Sequence, residues 1–289
     1  MIMLKKIPKA VWYLAKGDLP GRTGVSYVNF CVHTEMLYDE KTYLHLLKFS
    51  RNFNALTGNR TTLCVTTPLS PCVKKEMKRL GVHEKSVAER LSELKKTSEI
   101  GYHGHFYDDT GVDLKEMSAE NFDERAVRNQ MASEIKWLTA CGVTPKIYTA
   151  GWWFLNSRIV RMLETFGIEM DSSVRKGKSD FFGGRYLGED EVPPYGKPFI
   201  LPPSSNILEI QSIFGPVMPP FFMKAHLSGY LEIDREKDIF FVFPLHDWDI
   251  TRYGGSINAN VSALDKLKGR FEWMDMTGMR NVWLKKEKV

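Results

Sequence analysis

Four of the seven histidines, His33, His103, His105 and His246, stand at or just beyond short runs rich in β-forming residues. Imidazole is the commonest metal ligand and the side chain best suited to proton transfer near neutral pH. Three strand ends that converge on one mouth could place several imidazoles around one zinc ion. The other three, His45, His83 and His226, fall in helix or loop patterns. The same strand ends carry Glu35, Asp171, Asp247 and Asp249, and the aromatic residues Trp152, Trp153, Trp248 and Tyr253. Aromatic rings stack on the apolar faces of sugars, and an indole N–H adds a donor. The two aspartates beside Trp248 are candidates for sugar hydroxyls.

The elements that must position these groups alternate along the chain. Val25–Val32, Thr61–Thr66, Ser98–His103, Lys146–Ala150, Ile168–Asp171, Ile207–Ile213 and Ile239–Leu245 read as strands. Helical patterns cover Asp39–Phe53, Pro68–Leu80, Ser86–Lys96, Asn121–Ala140 and Asn156–Phe166, and Asn258–Lys268 reads as the last helix. Ser86 precedes Glu89 by three, the spacing of a capping box. Residues 175–205, rich in Gly and Pro, read as a long loop region with a hairpin, and Phe271–Met274 as a final strand. The β-α-β order implies parallel strands joined by right-handed crossovers. The expectation is a single α/β domain over residues 1–289, a distorted (β/α) barrel of about seven parallel strands. Functional residues then belong at the C-terminal ends of the strands.

Composition narrows the classes. The chain has 289 residues, 43% hydrophobic and 26% charged, which is globular rather than disordered or fibrous. Its formal charge of +5 comes without a dense basic stripe, so nucleic acid is not an expected partner. Cys31, Cys64, Cys72 and Cys141 form no CxxC pair and read as reduced thiols. No run approaches a membrane span, and the N-terminal stretch lacks an apolar signal core. A cytoplasmic protein is expected. Nothing in the sequence fixes an oligomeric state, and Phe214–Met223 is the apolar segment considered for pairing.

Four ordered segments resemble the polysaccharide deacetylase (NodB-homology) family. Ala150-Gly151-Trp152-Trp153-Phe154-Leu155-Asn156, followed by residues 158–174, is similar to the family's Arg-x-Pro-Gly-type strand end, helix and "GYxYDSSV". Glu99–His105 resembles "EIGxHxxxH", Phe30–Glu35 resembles "FDVDTE", and Phe243–His246 resembles the late strand ending in His. The resemblance implies a distorted barrel and metal-dependent removal of an N- or O-acyl group from a sugar. In the family an Asp and two His bind the metal, a further Asp is the base and a late His the acid. Carried over, the metal Asp falls on His33 and the base Asp on Cys31. The metal histidines fall on His103 and Tyr107, the Arg on Tyr148 and the late His on His246. The metal and base motif is thus altered.

The groups that remain define expectations. His33 and His103 are metal ligands, with His105 or Glu35 as the third, and the ion is divalent, zinc by preference. His246 is the acid, and Glu35 or Asp171 the base. The backbone N–H around Gly151 faces the oxyanion. Gly151, Trp152, Trp153, Trp248 and Asp247 meet an acylated sugar, an intermediate of surface-polysaccharide synthesis. Cys31 reads as a structural thiol rather than a nucleophile. Two other functions fit the altered motif: a catalytically degenerate barrel that binds a carbohydrate or protein partner, and a metal-free amidohydrolase, as some relatives act on cyclic ureides.

Overall fold

Strand β1, Ser26–Thr34, is buried along its whole length. So is β8, Ile239–His246, up to its terminal histidine. Such continuous burial is what strands covered on both faces require. The computed structural model describes residues 24–107, 123–174, 187, 191–194, 196–213, 237–265 and 271–287. Between these two strands lie α1 (Glu40–Thr57), β2 (Thr61–Val65), α2 (Pro71–Leu80), α3 (Glu84–Leu94), β3 (Ser98–Gly104), α4 (Glu124–Ala140), β4 (Ile147–Ala150), α5 (Ser157–Thr165), β5 (Met170–Asp171), β6 (Phe199–Ile200) and β7 (Leu208–Glu209). After β8 come α6 (Asp247–Asp265), β9 (Phe271–Trp273) and α7 (Met276–Lys286).

The sheet runs β6-β7-β5-β4-β3-β2-β1-β8, with β9 on β1. Every pairing is parallel except β6 with β7. Beyond β7, Ser212 bridges to Val242 of β8 in parallel, which brings the two ends of the sheet together. The fold is thus the expected (β/α) barrel with parallel strands β1–β5, β7 and β8 around the ring. One apolar core lies between sheet and helices and includes Phe30, Leu46, Met131 and Phe243. A second fills the inside of the ring with Tyr27, Cys31, Cys64, Ile147 and Phe240, and Met276 and Met279 of α7 pack into it.

Three sequence expectations need correction. The capping box at Ser86 does not exist: α3 begins at Glu84 behind His83, and Ser86 lies inside the helix. The helix expected from Asn258 starts at Asp247, directly after the β8 histidine, and spans Gly254-Gly255. It is not the last helix either, since α7 follows β9. Of residues 175–205, where a hairpin is expected, much lies outside the described residues; Phe199–Ile200 pairs antiparallel with Leu208–Glu209 beyond that stretch, and Phe214–Met223 lies outside the described residues. Among the described residues no helix is long and apolar enough to cross a membrane.

Candidate metal centre

Register brings the strand ends to one rim. His33 of β1 pairs with His246 of β8 and with Cys64 of β2, and His103 of β3 pairs with Thr149 of β4. Glu35 and His105 each lie one residue past the end of their strand, two residues beyond His33 and His103. At the rim Glu35, His103 and His105 meet. Glu35 Oε1 lies 3.3 Å from His103 Nε2 and 3.3 Å from His105 Nε2, and the two Nε2 atoms are 3.2 Å apart.

These three edges test whether an ion fits. Bonds of ~2.0–2.1 Å in a tetrahedron hold neighbouring ligand atoms about 3.3 Å apart. The edges match that value, and the donor set of one carboxylate and two imidazoles suits a divalent ion. The tautomer of His103 agrees. Its Nδ1–H donates to the Thr149 carbonyl at 2.9 Å and lies 3.0 Å from Thr149 Oγ1, which leaves the Nε2 lone pair facing the centre. Burial pushes the Glu35 carboxyl up, but its contacts with the His103 and His105 rings outweigh it and hold the group well below the carboxylate range. Burial, opposed by the Glu35 contact, lowers the His103 imidazole.

His33, expected as a ligand, lies beside this trio rather than within it. Its ring stacks on His103 at 4.5 Å and meets His246 edge-on at 5.0 Å. Its Nε2 is buried without a hydrogen-bond partner. Burial, reinforced by His103 and His246, holds its imidazole well below its ordinary value and so neutral. His246 is the open member of the group, with a side chain 35% exposed against 1% for His103 and 7% for His105. Its Nε2 lies 3.8 Å from Glu35 Oε1 and its Nδ1 3.6 Å from Asp249 Oδ2, while its backbone N–H donates to the same Asp249 oxygen at 2.9 Å. Trp248 stacks flat on it at 4.0 Å.

Two expected site residues do other work. Asp171 pairs with Tyr148, one residue before Thr149, so its side chain leaves the sheet on the face opposite His103. There it accepts from the Ser173 N–H and Oγ, and Ser173 Oγ in turn accepts from Ala150 N–H. It cannot serve as base at the rim. Asp247 is fully buried, not open to a sugar. Its Oδ2 accepts from Met36 N–H at 2.7 Å and its Oδ1 from Trp248 N–H, which pins the segment carrying Glu35. Burial pushes its carboxyl up to about 7.

Gly151 opens a tight turn, Gly151–Trp153. A Cβ there would lie 2.6 Å from the Gly104 carbonyl oxygen and 2.7 Å from the His105 ring, so only glycine fits against this histidine. Trp152 and Trp153 both hold positive φ, 54° and 60°. Two successive left-handed tryptophans are backbone strain kept at the rim, a mark of functional sites. Trp152 is exposed and meets the His105 ring edge-on at 6.1 Å, and Trp153 lies 5.6 Å from His33. Cys31 lies inside the ring with its sulfur 3.7 Å from that of Cys64. That contact and burial push its thiol well up, so it is inert as a nucleophile.

Sequence reasoning missed Gln130 and Glu134 of α4. Gln130 Nε2 donates to the His105 carbonyl and to Glu134 Oε1. The signal was available: Val127, Met131, Glu134 and Leu138 form the buried stripe of α4, and a carboxylate on an apolar stripe calls for a reason.

No family model matches the chain, and no curated protein matches it. Solved structures do. A protein assigned to the polysaccharide deacetylases from Mycobacterium smegmatis superposes with a TM-score of 0.59 at 16% identity, covering 92% of each chain. Puue allantoinase gives 0.57 at 12%, over 93% of this chain and 95% of the other. A second protein assigned as a polysaccharide deacetylase, from Pseudomonas aeruginosa PAO1, gives 0.53 at 14%, over 86% and 87%. At these identities the likeness is one of fold: this chain is built as a polysaccharide-deacetylase-like (β/α) barrel.

Proposed function

We propose that the chain is a metal-dependent hydrolase that removes an acyl group from an amino or hydroxyl group of a sugar. The observation that carries this reading is the trio of Glu35 Oε1, His103 Nε2 and His105 Nε2 with edges of 3.2–3.3 Å. Zinc is the expected ion, and when bound it supplies an acidified water and a polarised acyl carbonyl. His33, whose buried Nε2 lacks a protein partner, is the residue left to add a donor beside the trio. With Glu35 engaged and Asp171 turned away, His246 takes the proton from water and hands it to the leaving nitrogen or oxygen. Asp249 orients its ring and Trp248 covers one face. The Gly151 backbone N–H, next to the His105 ring, faces the developing oxyanion. Trp152 and Trp248 offer partly exposed rings for a sugar to stack on. That the sugar is an intermediate of surface-polysaccharide synthesis follows the family resemblance.

A second reading, a barrel that binds a carbohydrate without turnover, is favoured by one observation: both carboxylates expected as base are engaged elsewhere. Metal content of the untagged protein and acyl release from a panel of N- and O-acyl sugars separate the two. The hydrolase predicts about one divalent ion per chain in wild type and H246Q, its loss in H103A, and acyl release by wild type alone. An ion without turnover on any acyl sugar selects the binding barrel. No ion after incubation with zinc, cobalt, nickel or manganese removes the metal reading.

A further inference from the structure

His105 is the ligand whose position needs most explanation. It lies one residue past the end of β3. One side chain spans the segment that holds it. Gln130 of α4 donates from Nε2 to the His105 carbonyl at 2.5 Å and accepts at Oε1 from the Tyr107 N–H at 3.2 Å. An amide is the group that can do both at once, clasping backbone two residues apart. Gln130 is itself held, since its Nε2 also donates to Glu134 Oε1 at 2.8 Å.

Glu134 is fully buried. Burial pushes its carboxyl up to about 8, so near neutral pH it is mostly the uncharged acid. A carboxyl on an apolar stripe is tolerated only with polar partners, and beside Gln130 this one meets the Tyr102 hydroxyl and Thr67. Leucine or methionine would fill the same space but would leave the Gln130 amide and the buried Tyr102 hydroxyl without this acceptor. What the carboxyl adds is an acceptor that orients the Gln130 amide. The Gly151 backbone packs against the His105 ring, so the histidine meets one neighbour at its ring and another at its backbone.

We propose that Gln130 and Glu134 are positioning residues that fix His105 for metal ligation, acting through the clasp of Gln130 on the His105–Tyr107 backbone. The proposal rests on the metal reading above and extends it to residues that touch neither ion nor substrate.

The test compares wild type with Q130M, E134L and E134Q, and with N129A as a control at an exposed site on the same helix. The zinc dissociation constant is measured by competition with a chromophoric chelator. Orienting partners of metal ligands are worth about 10–100-fold in affinity. Q130M and E134L are expected to weaken zinc binding by about that factor. E134Q keeps an acceptor oxygen for Gln130 and is expected within about threefold of wild type, as is N129A. Equal affinity in Q130M and wild type overturns the proposal, and so does a loss in E134Q as large as in E134L. Exchange of the Tyr107 amide, followed by NMR without metal, gives an independent reading. Protection in wild type and E134Q, lost at least about tenfold in Q130M and E134L, supports the clasp; equal exchange rates refute it. Should wild type bind no zinc, the metal reading fails by itself and the exchange rates still decide the clasp. If E134L does not fold, Q130M carries both arms.

Discussion

At the scale of the residue, Gly151 is where backbone and site meet most closely. A methyl group placed there must displace either the Gly104 carbonyl or the His105 ring, because both lie within 2.7 Å of its position. The ring is the softer of the two. Gly151→Ala is therefore expected to bind zinc at least about tenfold more weakly, with a loss of stability on the order of 1–3 kcal/mol from overpacking. Metal titration and urea unfolding of the variant check this; unchanged affinity would show that the ring has room to move. Glu134 gives a prediction of opposite kind. Its native carboxyl titrates near 8, against about 4.3 in an unfolded chain. Between those values the native state holds a proton that the unfolded state has released. Its contribution to stability is therefore full at low pH and falls as pH rises toward 8. E134Q removes the titration, so the drop in unfolding free energy between pH 5 and pH 9 should be smaller in the variant by a few kcal/mol. Parallel profiles would contradict it. The sequence showed the histidines and Glu35 but not which way Asp171 points. A run such as Ile168–Asp171 announces a strand, whereas its face is set by pairing with Tyr148 across the sheet.

At the scale of the element, the strands were legible because their apolar runs are short, β-branched and bounded by turn residues. The helices that gave trouble were those whose stability comes from packing. In α6 the pair Gly254-Gly255 reads as a break, yet the helix passes through it because Ile250, Ile257, Val261 and Leu264 are buried. No helix is expected after Lys268, yet Met276–Lys286 forms α7. Asp275 caps it by accepting from Gly278 N–H, and the half-buried Glu99 carboxyl accepts from Met276 N–H and from Thr277. Arg280 pairs with Glu169 at 3.3 Å, a partly exposed contact worth less than about 1 kcal/mol. The packing of α7 comes instead from Met276 and Met279, which are wholly buried in the core inside the ring. Met279→Ala is expected to cost about 2–5 kcal/mol by transfer and cavity terms together. Because β9 and α7 stand at the start of β1, away from the rim of histidines, zinc affinity should stay within about twofold of wild type. Thermal melts and metal titration separate the two effects; a matched fall in affinity would mean that the base of the ring supports the site directly.

At the scale of the whole molecule, the ring is held unevenly. β1 and β8 share an eight-residue register, Ser26–Ile239 through His33–His246. The opposite edge of β8 makes, among the described residues, a thinner seam: Phe240 N–H to Gly196 O at 2.8 Å, Val242 N–H to Gln211 O at 3.3 Å, and Ile213 N–H to Val242 O at 2.9 Å. These bonds use Phe240 and Val242, so the next donor on that edge would be residue 244, which is proline and has none. The ladder at the seam is cut short below the rim. Gln211 compensates: its side-chain Nε2 donates to the carbonyls of Pro193 and Pro194, tying the incoming loop to the closure. The seam is thus the place where the ring should open first, at a free energy below that of global unfolding. Hydrogen exchange at Ile213 is expected to run at least about tenfold faster than at Val28 and Phe30 on β1. Gln211→Ala should widen that gap, since it releases the loop while leaving the β1–β8 register intact. His246 stands at the end of the same strand, so partial opening would also alter its approach to Glu35. Acyl-release activity should therefore fall in Q211A more than zinc affinity does, because Glu35, His103 and His105 come from β1 and β3 on the closed side. Equal protection at Ile213 and Val28 would show instead that the ring is as firm at the seam as elsewhere, and that His246 owes its position to Asp249 and Trp248 alone.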